Sequence, residues 1–84
     1  MDPLSAAERI LAAIRAIPRG ETAAYGVVAQ RAGLPGRARL VARLLSQNDD
    51  PALPWHRVLR ADGRSAFPPG TPDHYEQLKR LRRE

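Results

Sequence analysis

Proline and glycine cut this chain into short pieces, and that punctuation limits its fold more than any other feature. Breakers stand at Pro18 and Gly20, at Gly33 and Pro35, at the Asp62-Gly63 pair, and through the stretch from Pro68 to Pro72. Proline has no backbone N–H to continue a helix, and glycine readily takes the positive φ that ends one. Long helices and long strands are therefore excluded. What remains is a small domain of short helices joined by tight turns.

Each piece carries its own signals. Ser5 and Glu8 match an S-x-x-E capping box, and Ile10, Leu11, Ile14 and Ile17 then recur at helical spacing until Pro18 and Gly20. Thr22 is expected to cap a second helix that ends at Gly33, with Tyr25 in its first turn. Pro35 suits the first turn of a third helix, in which Leu40, Val41, Leu44 and Leu45 form the core stripe. Thr71 and Pro72 open a last helix with Tyr75, Leu78 and Leu81 on one face. Between them, residues 55–67 read as a short β-hairpin turning at Asp62-Gly63. The expected fold class is mainly α: a winged helix-turn-helix-like DNA-binding domain with four main helices and a short β-hairpin.

The 84 residues are expected to form a single domain over residues 1–84. With no Cys, disulfides and thiolate metal sites are excluded, and His56 and His74 are too far apart in sequence for zinc-ligand spacing. No cofactor or metal is expected. The acidic start lacks the form of a secretory signal, and no apolar run approaches the ~20 residues that span a bilayer. The expected location is the cytoplasm, on the nucleoid when DNA is bound.

Charge points toward an anionic partner. The formal net charge is +5, and no acidic residue occurs between Thr22 and Asn48, where Arg31, Arg37, Arg39 and Arg43 all fall. An arginine excess also follows from a GC-rich genome, so the clustering argues more than the total. Arg39 and Arg43 repeat at i, i+4 on the third helix, with Arg37 near its start. A basic stripe of this kind also reads as a solvated face, above all for Arg43. Tyr25 has two open readings, a hydroxyl that meets a phosphate or a ring packed on a neighbouring helix.

The stretch "LPWHRVLRADG" looks like a chemical site without a nucleophile. It holds the single Trp and one of the two His, and no Cys, Ser or Thr stands beside His56. Taken alone, Trp55 would be a plain core residue.

The segment Pro54-Trp55-His56-Arg57-Val58, with "IPRGETAAYG" and "ARLV" upstream, resembles the DNA-binding domain of the O6-alkylguanine-DNA alkyltransferases. Those enzymes carry Pro-Cys-His-Arg-Val, and their Cys takes an alkyl group from a flipped-out guanine. Trp in place of that Cys marks the alkyltransferase-like proteins, the non-enzymatic branch, which also lack the enzymes' separate N-terminal domain.

The resemblance implies roles position by position. Tyr25 would help to rotate the target nucleotide. Arg39 would be the finger that fills the gap in the base stack, on a DNA-binding set completed by Arg37 and Arg43. Trp55 and Val58 would join Tyr25 in the lesion pocket, Val58 through its carbonyl. Asn48, His56 and Glu84 would be the structural remnant of the catalytic relay. Residues 64–73 differ from the enzymes' Gly-rich loop, and a more open pocket wall is expected there.

The implied protein is not an enzyme. It would bind double-stranded DNA containing O6-alkylguanine as a monomer, flip the base without alkyl transfer, and flag it for nucleotide excision repair proteins. Two rivals stand beside this. One is a winged-helix regulator whose Arg39 reads a guanine edge in the major groove. The other is a catalytic remnant that uses His56 and Glu84 with water.

Overall fold

The computed structural model describes residues 5–84; residues 1–4 of the expected single-domain span lie outside it. Four helices are described: α1 (Ala6–Arg15), α2 (Tyr25–Arg31), α3 (Ala38–Ser46) and α4 (Pro72–Arg82). Two very short strands, β1 (Ala23–Ala24) and β2 (Val58–Leu59), pair in parallel with Ala23 opposite Val58 and Ala24 opposite Leu59. A 3-10 turn over Trp55–Arg57 leads directly into β2. No helix among the described residues is long and apolar enough to cross a membrane.

α1 begins where the sequence places it. The Ser5 hydroxyl accepts a hydrogen bond from the Glu8 backbone N–H at 3.1 Å, which is one half of the capping box. Ile10, Ile14 and Ile17 are fully buried, with Leu11 partly buried against them. They meet Val28 and Ala29 of α2, Val41 of α3, Leu53 and Val58 in one core. Each fully buried aliphatic side chain of this kind contributes about 1.5–3 kcal/mol. Of the expected α3 stripe only Val41 is fully enclosed, while Leu40, Leu44 and Leu45 are partly buried at its edge.

α2 ends at Gly33 as expected. Gly33 has φ +77°, its N–H reaches the Gln30 carbonyl, and the Leu34 N–H reaches the Ala29 carbonyl at 2.8 Å. This pair of bonds is a Schellman motif, and the left-handed residue at its corner favours glycine.

Four expectations need correction. Thr22 does not cap α2. Residues 23 and 24 are drawn into the parallel pairing with β2, and the helix starts only at Tyr25, after an Ala24 cap with no side-chain bond. Pro35 lies before α3, not in it. Pro35 and Gly36 occupy the corner of a turn closed by Arg37 N–H to Leu34 C=O, with Gly36 at φ +81°. That geometry is a type II turn, and it delays the helix to Ala38.

The hairpin is also replaced. The Asp62-Gly63 turn exists, closed by Gly63 N–H to Arg60 C=O at 2.9 Å, but β2 pairs with β1 and not with the residues after the turn. The residues after the turn keep one backbone bond across it, Arg60 N–H to Arg64 C=O at 2.8 Å, and are otherwise held by side chains, since the Ser65 hydroxyl donates to Gln77 Oε1 and accepts from the Phe67 N–H. Finally, the inward residue of α4 is Gln77, which is 1% exposed, while Tyr75 is 62% exposed. Leu78 and Leu81 stay on the half-buried side.

Candidate nucleic-acid interface

α2, α3, the Trp55 turn and the start of α4 surround a pocket of about 340 Å³. Its walls are Tyr25, Ala42, Leu45, Ser46, Asn48, Trp55, Phe67 and Asp73. Its volume lies in the range of small-ligand clefts, and its walls mix apolar and polar groups in nearly equal measure.

Trp55 is set by local backbone and by two neighbours, Phe67 and Arg80. Pro54 precedes the 3-10 turn, and the Arg57 N–H returns to the Pro54 carbonyl at 3.1 Å. The indole meets Phe67 edge-on with centroids 5.7 Å apart. The Arg80 guanidinium lies 5.3 Å from the indole centroid, within cation–π reach. The ring is therefore held by Phe67 edge-on and by Arg80 over its face, and it lines the pocket.

Tyr25 stands on the opposite helix, in the first turn of α2. Burial pushes its phenol pKa up, so the hydroxyl is neutral and able to donate at physiological pH. The packed reading of the ring holds, since it lies against the core, and the residue also lines the pocket. Asn48 shapes the loop that leads to Trp55. Its Nδ2 donates to the Asp50 carbonyl and its Oδ1 accepts the Asp50 N–H, both at 3.1 Å.

His56 and Glu84 sit behind the wall and do not line it. His56 Nε2 lies 3.0 Å from Glu84 Oε2, and both side chains are about nine-tenths buried. Arg57 clasps the same carboxylate, with its Nε at 3.1 and 3.0 Å from the two oxygens, and its Nη1 donates to the Ile17 carbonyl at 2.9 Å. The Gly20 N–H adds a further bond to Glu84 Oε1. Arg57 foremost, then His56, holds the Glu84 carboxyl well below the usual carboxylate range. His56 Nδ1 is buried and unbonded among the described residues.

Arg37, Arg39 and Arg43 are exposed at the cap and along the outer side of α3. Arg39, Ala42, Arg43 and Ser46 follow the i, i+3, i+4, i+7 spacing of one helix face. Ala42 and Ser46 line the pocket, so the arginine stripe runs along the same side of α3 as the pocket mouth.

The structure thus brings Tyr25, Asn48 and Trp55 onto one pocket, with Arg39 and Arg43 beside it. It does not bring Val58 there. Val58 is 1% exposed in β2, absent from the pocket wall, and its carbonyl accepts the Gln77 amide at 3.0 Å. Pairing of β2 with β1 draws it into the core. Sequence reasoning missed Gln77, Phe67, Asp73 and the Arg57 clasp. Gln77 had a signal, since it falls three residues after His74 and four before Leu81 on the inward stripe of α4.

Known proteins share this architecture. The model of the 6-O-methylguanine DNA methyltransferase DNA-binding domain matches residues 5–84. A DNA base-flipping protein of Vibrio parahaemolyticus is 40% identical over 57 residues, which cover 67% of this chain and 57% of the relative. A methylated-DNA–protein-cysteine methyltransferase of Mycolicibacterium paratuberculosis is 37% identical over 78 residues, or 89% of this chain and 46% of the relative. The chain therefore spans about half the length of these curated relatives. Among solved structures, S. pombe Atl1 in complex with damaged DNA containing O6-carboxymethylguanine superposes with a TM-score of 0.83 at 26% identity, covering 99% of this chain and 78% of that one. Mycobacterium tuberculosis OGT in complex with DNA gives 0.81 at 30% identity, covering 96% and 50%. By the match of nearly its whole length, the chain belongs to the family of the 6-O-methylguanine DNA methyltransferase DNA-binding domain.

Proposed function

We propose that this chain binds duplex DNA and recognises O6-alkylguanine by turning the base out of the stack into the Tyr25–Trp55 pocket, without transferring the alkyl group. The held complex then flags the lesion for nucleotide excision repair. The observation that carries this reading is Trp55 on the pocket wall, in a Pro-Trp-His-Arg-Val segment that resembles the Pro-Cys-His-Arg-Val motif of the alkyltransferases. An indole N–H only donates, and indole carbon is a poor nucleophile at neutral pH. The ring has no thiolate to offer an alkyl group. It offers a flat surface instead, and base–aromatic stacking is worth about 1–3 kcal/mol per base.

The remaining parts have consistent roles. α3 lies along the duplex, with Arg37 and Arg43 on phosphates and Arg39 as the finger that fills the vacated place. Tyr25 presents a neutral hydroxyl beside the turned nucleotide. His56 and Glu84, behind the wall, stiffen the turn that carries Trp55. Extruding a base costs a few kcal/mol, and least where alkylation has already weakened pairing.

The test is a titration into matched duplexes with and without one O6-methylguanine, in several sequence contexts, followed by intact mass of the protein and nucleoside analysis of the DNA. The expected result is tighter binding to the lesion in every context, with protein mass and lesion unchanged. A preferred sequence without lesion preference would instead fit a winged-helix regulator. A released base or altered lesion would fit a catalytic remnant, and a methyl adduct on the protein would end the non-enzymatic reading.

A further inference from the structure

Resting on that reading of the pocket, we propose that Asp73 makes it selective for uncharged O6 substituents over anionic ones. Among the described residues Asp73 is the one charged residue on the pocket wall, and it is exposed. It lies in the first turn of α4, directly after Thr71 and Pro72, which fix the start of that helix. Among the described residues no hydrogen bond or ion pair engages its carboxylate. The other walls are apolar or neutral: Ala42, Leu45, Phe67 and Trp55 on one hand, Tyr25, Ser46 and Asn48 on the other.

The consequence follows from charge and hydrogen bonding. A methyl or benzyl group meets the apolar walls with no electrostatic cost. The hydroxyl of a 2-hydroxyethyl group donates, and a carboxylate accepts. A carboxymethyl group is itself an anion, which brings two like charges into one pocket whose described lining carries no cation, the Arg80 guanidinium lying 5.3 Å from the Trp55 centroid rather than on the wall. Two charges about 5 Å apart in a medium between water and the protein surface repel enough to weaken binding by roughly fivefold or more. This preference would set the chain apart from S. pombe Atl1, which forms a complex with DNA containing O6-carboxymethylguanine.

The experiment compares three duplexes of one sequence, carrying guanine, O6-(2-hydroxyethyl)guanine or O6-carboxymethylguanine, at fixed salt. The two adducts reach similarly far from O6, so charge is separated from length. The intact chain is expected to favour hydroxyethyl over carboxymethyl by several-fold. Asp73→Asn should reduce that ratio several-fold, because it removes the repulsion. Asp49→Asn removes the same charge from an exposed loop residue off the pocket wall, and should shift all three duplexes by a similar factor without moving the ratio.

Equal binding of the two adducts by the intact chain would overturn the proposal. So would an Asp73→Asn ratio that matches the intact chain, even where both adducts outbind plain guanine. In those cases lesion recognition stands and the role of Asp73 falls. Failure of both adducts to outbind guanine would remove the pocket reading itself, and this inference with it.

Discussion

His56 Nε2 and Glu84 Oε2 stand 3.0 Å apart at the close of the fold, with the Arg57 guanidinium on the same carboxylate. The contact ties the last residue of the sequence to the turn that carries Trp55. Glu84 is held ionised by Arg57 first and His56 second, so its pKa is depressed. A carboxylate depressed on folding contributes stability above its unfolded value of about 4.5, and that contribution is lost as pH falls through the lower folded value. Urea unfolding at a series of pH values should therefore show stability falling on acidification below that value. Glu84→Gln should be less stable at neutral pH and should show a shallower fall. Parallel pH profiles for the two proteins would remove Glu84 as a source of the acid sensitivity.

Gln77 clamps the same turn from α4. Its Nε2 donates to the carbonyls of His56 and Val58 at 3.1 and 3.0 Å, and its Oε1 accepts the Ser65 hydroxyl. Gln77→Leu keeps much of the bulk but strands two buried carbonyls, at an expected cost of about 2–4 kcal/mol. Ser65→Ala removes one partner and should cost about 1 kcal/mol. Denaturant unfolding followed by the fluorescence of the single Trp measures both. A loss under about 0.5 kcal/mol for Gln77→Leu, the scale of an ordinary surface change, would show that water replaces the clamp.

Arg39 and Arg43 are neighbours on α3 with different expected behaviour. A residue that fills the gap left by a flipped base matters only when the base is out. Arg39→Ala should therefore lose affinity mainly for lesion DNA, and Arg43→Ala should weaken lesion and undamaged DNA alike. Arg39→Lys keeps charge but lacks the planar fork, so it should retain much non-specific binding and lose unstacking. Fluorescence of 2-aminopurine beside the lesion reports the flipped state. A full unstacking signal from Arg39→Ala at saturating protein would show that Arg39 is not the finger.

Salt should report the arginine face directly. Log affinity against log salt is expected to be linear, with a slope near −0.9 for each phosphate neutralised. Arg37→Ala and Arg43→Ala should each reduce the steepness by about one phosphate. A slope close to zero for the intact chain would remove the electrostatic argument for α3.

Local signals in the sequence determined the helices whose ends are local chemistry. Ser5 before α1, Gly33 after α2, and Thr71 with Pro72 at α4 act on backbone groups within a few residues, so they read correctly from the chain alone. The motif around Trp55 likewise pointed to the pocket, and Tyr25, Asn48 and Trp55 do meet there. Other features depend on partners distant along the chain. The parallel pairing of residues 23–24 with 58–59 overrode the Thr22 cap, reduced the expected hairpin to its turn and one backbone bond, and pulled Val58 into the core. Gln77 is buried because two carbonyls from the Trp55 turn await its amide, a demand invisible in the composition of α4. Asp73 faces the pocket only because α4 docks against that turn. Capping and turn preference act over a single turn of backbone and survive in isolation. Strand pairing, polar satisfaction and pocket walls exist only once distant segments have closed on one another.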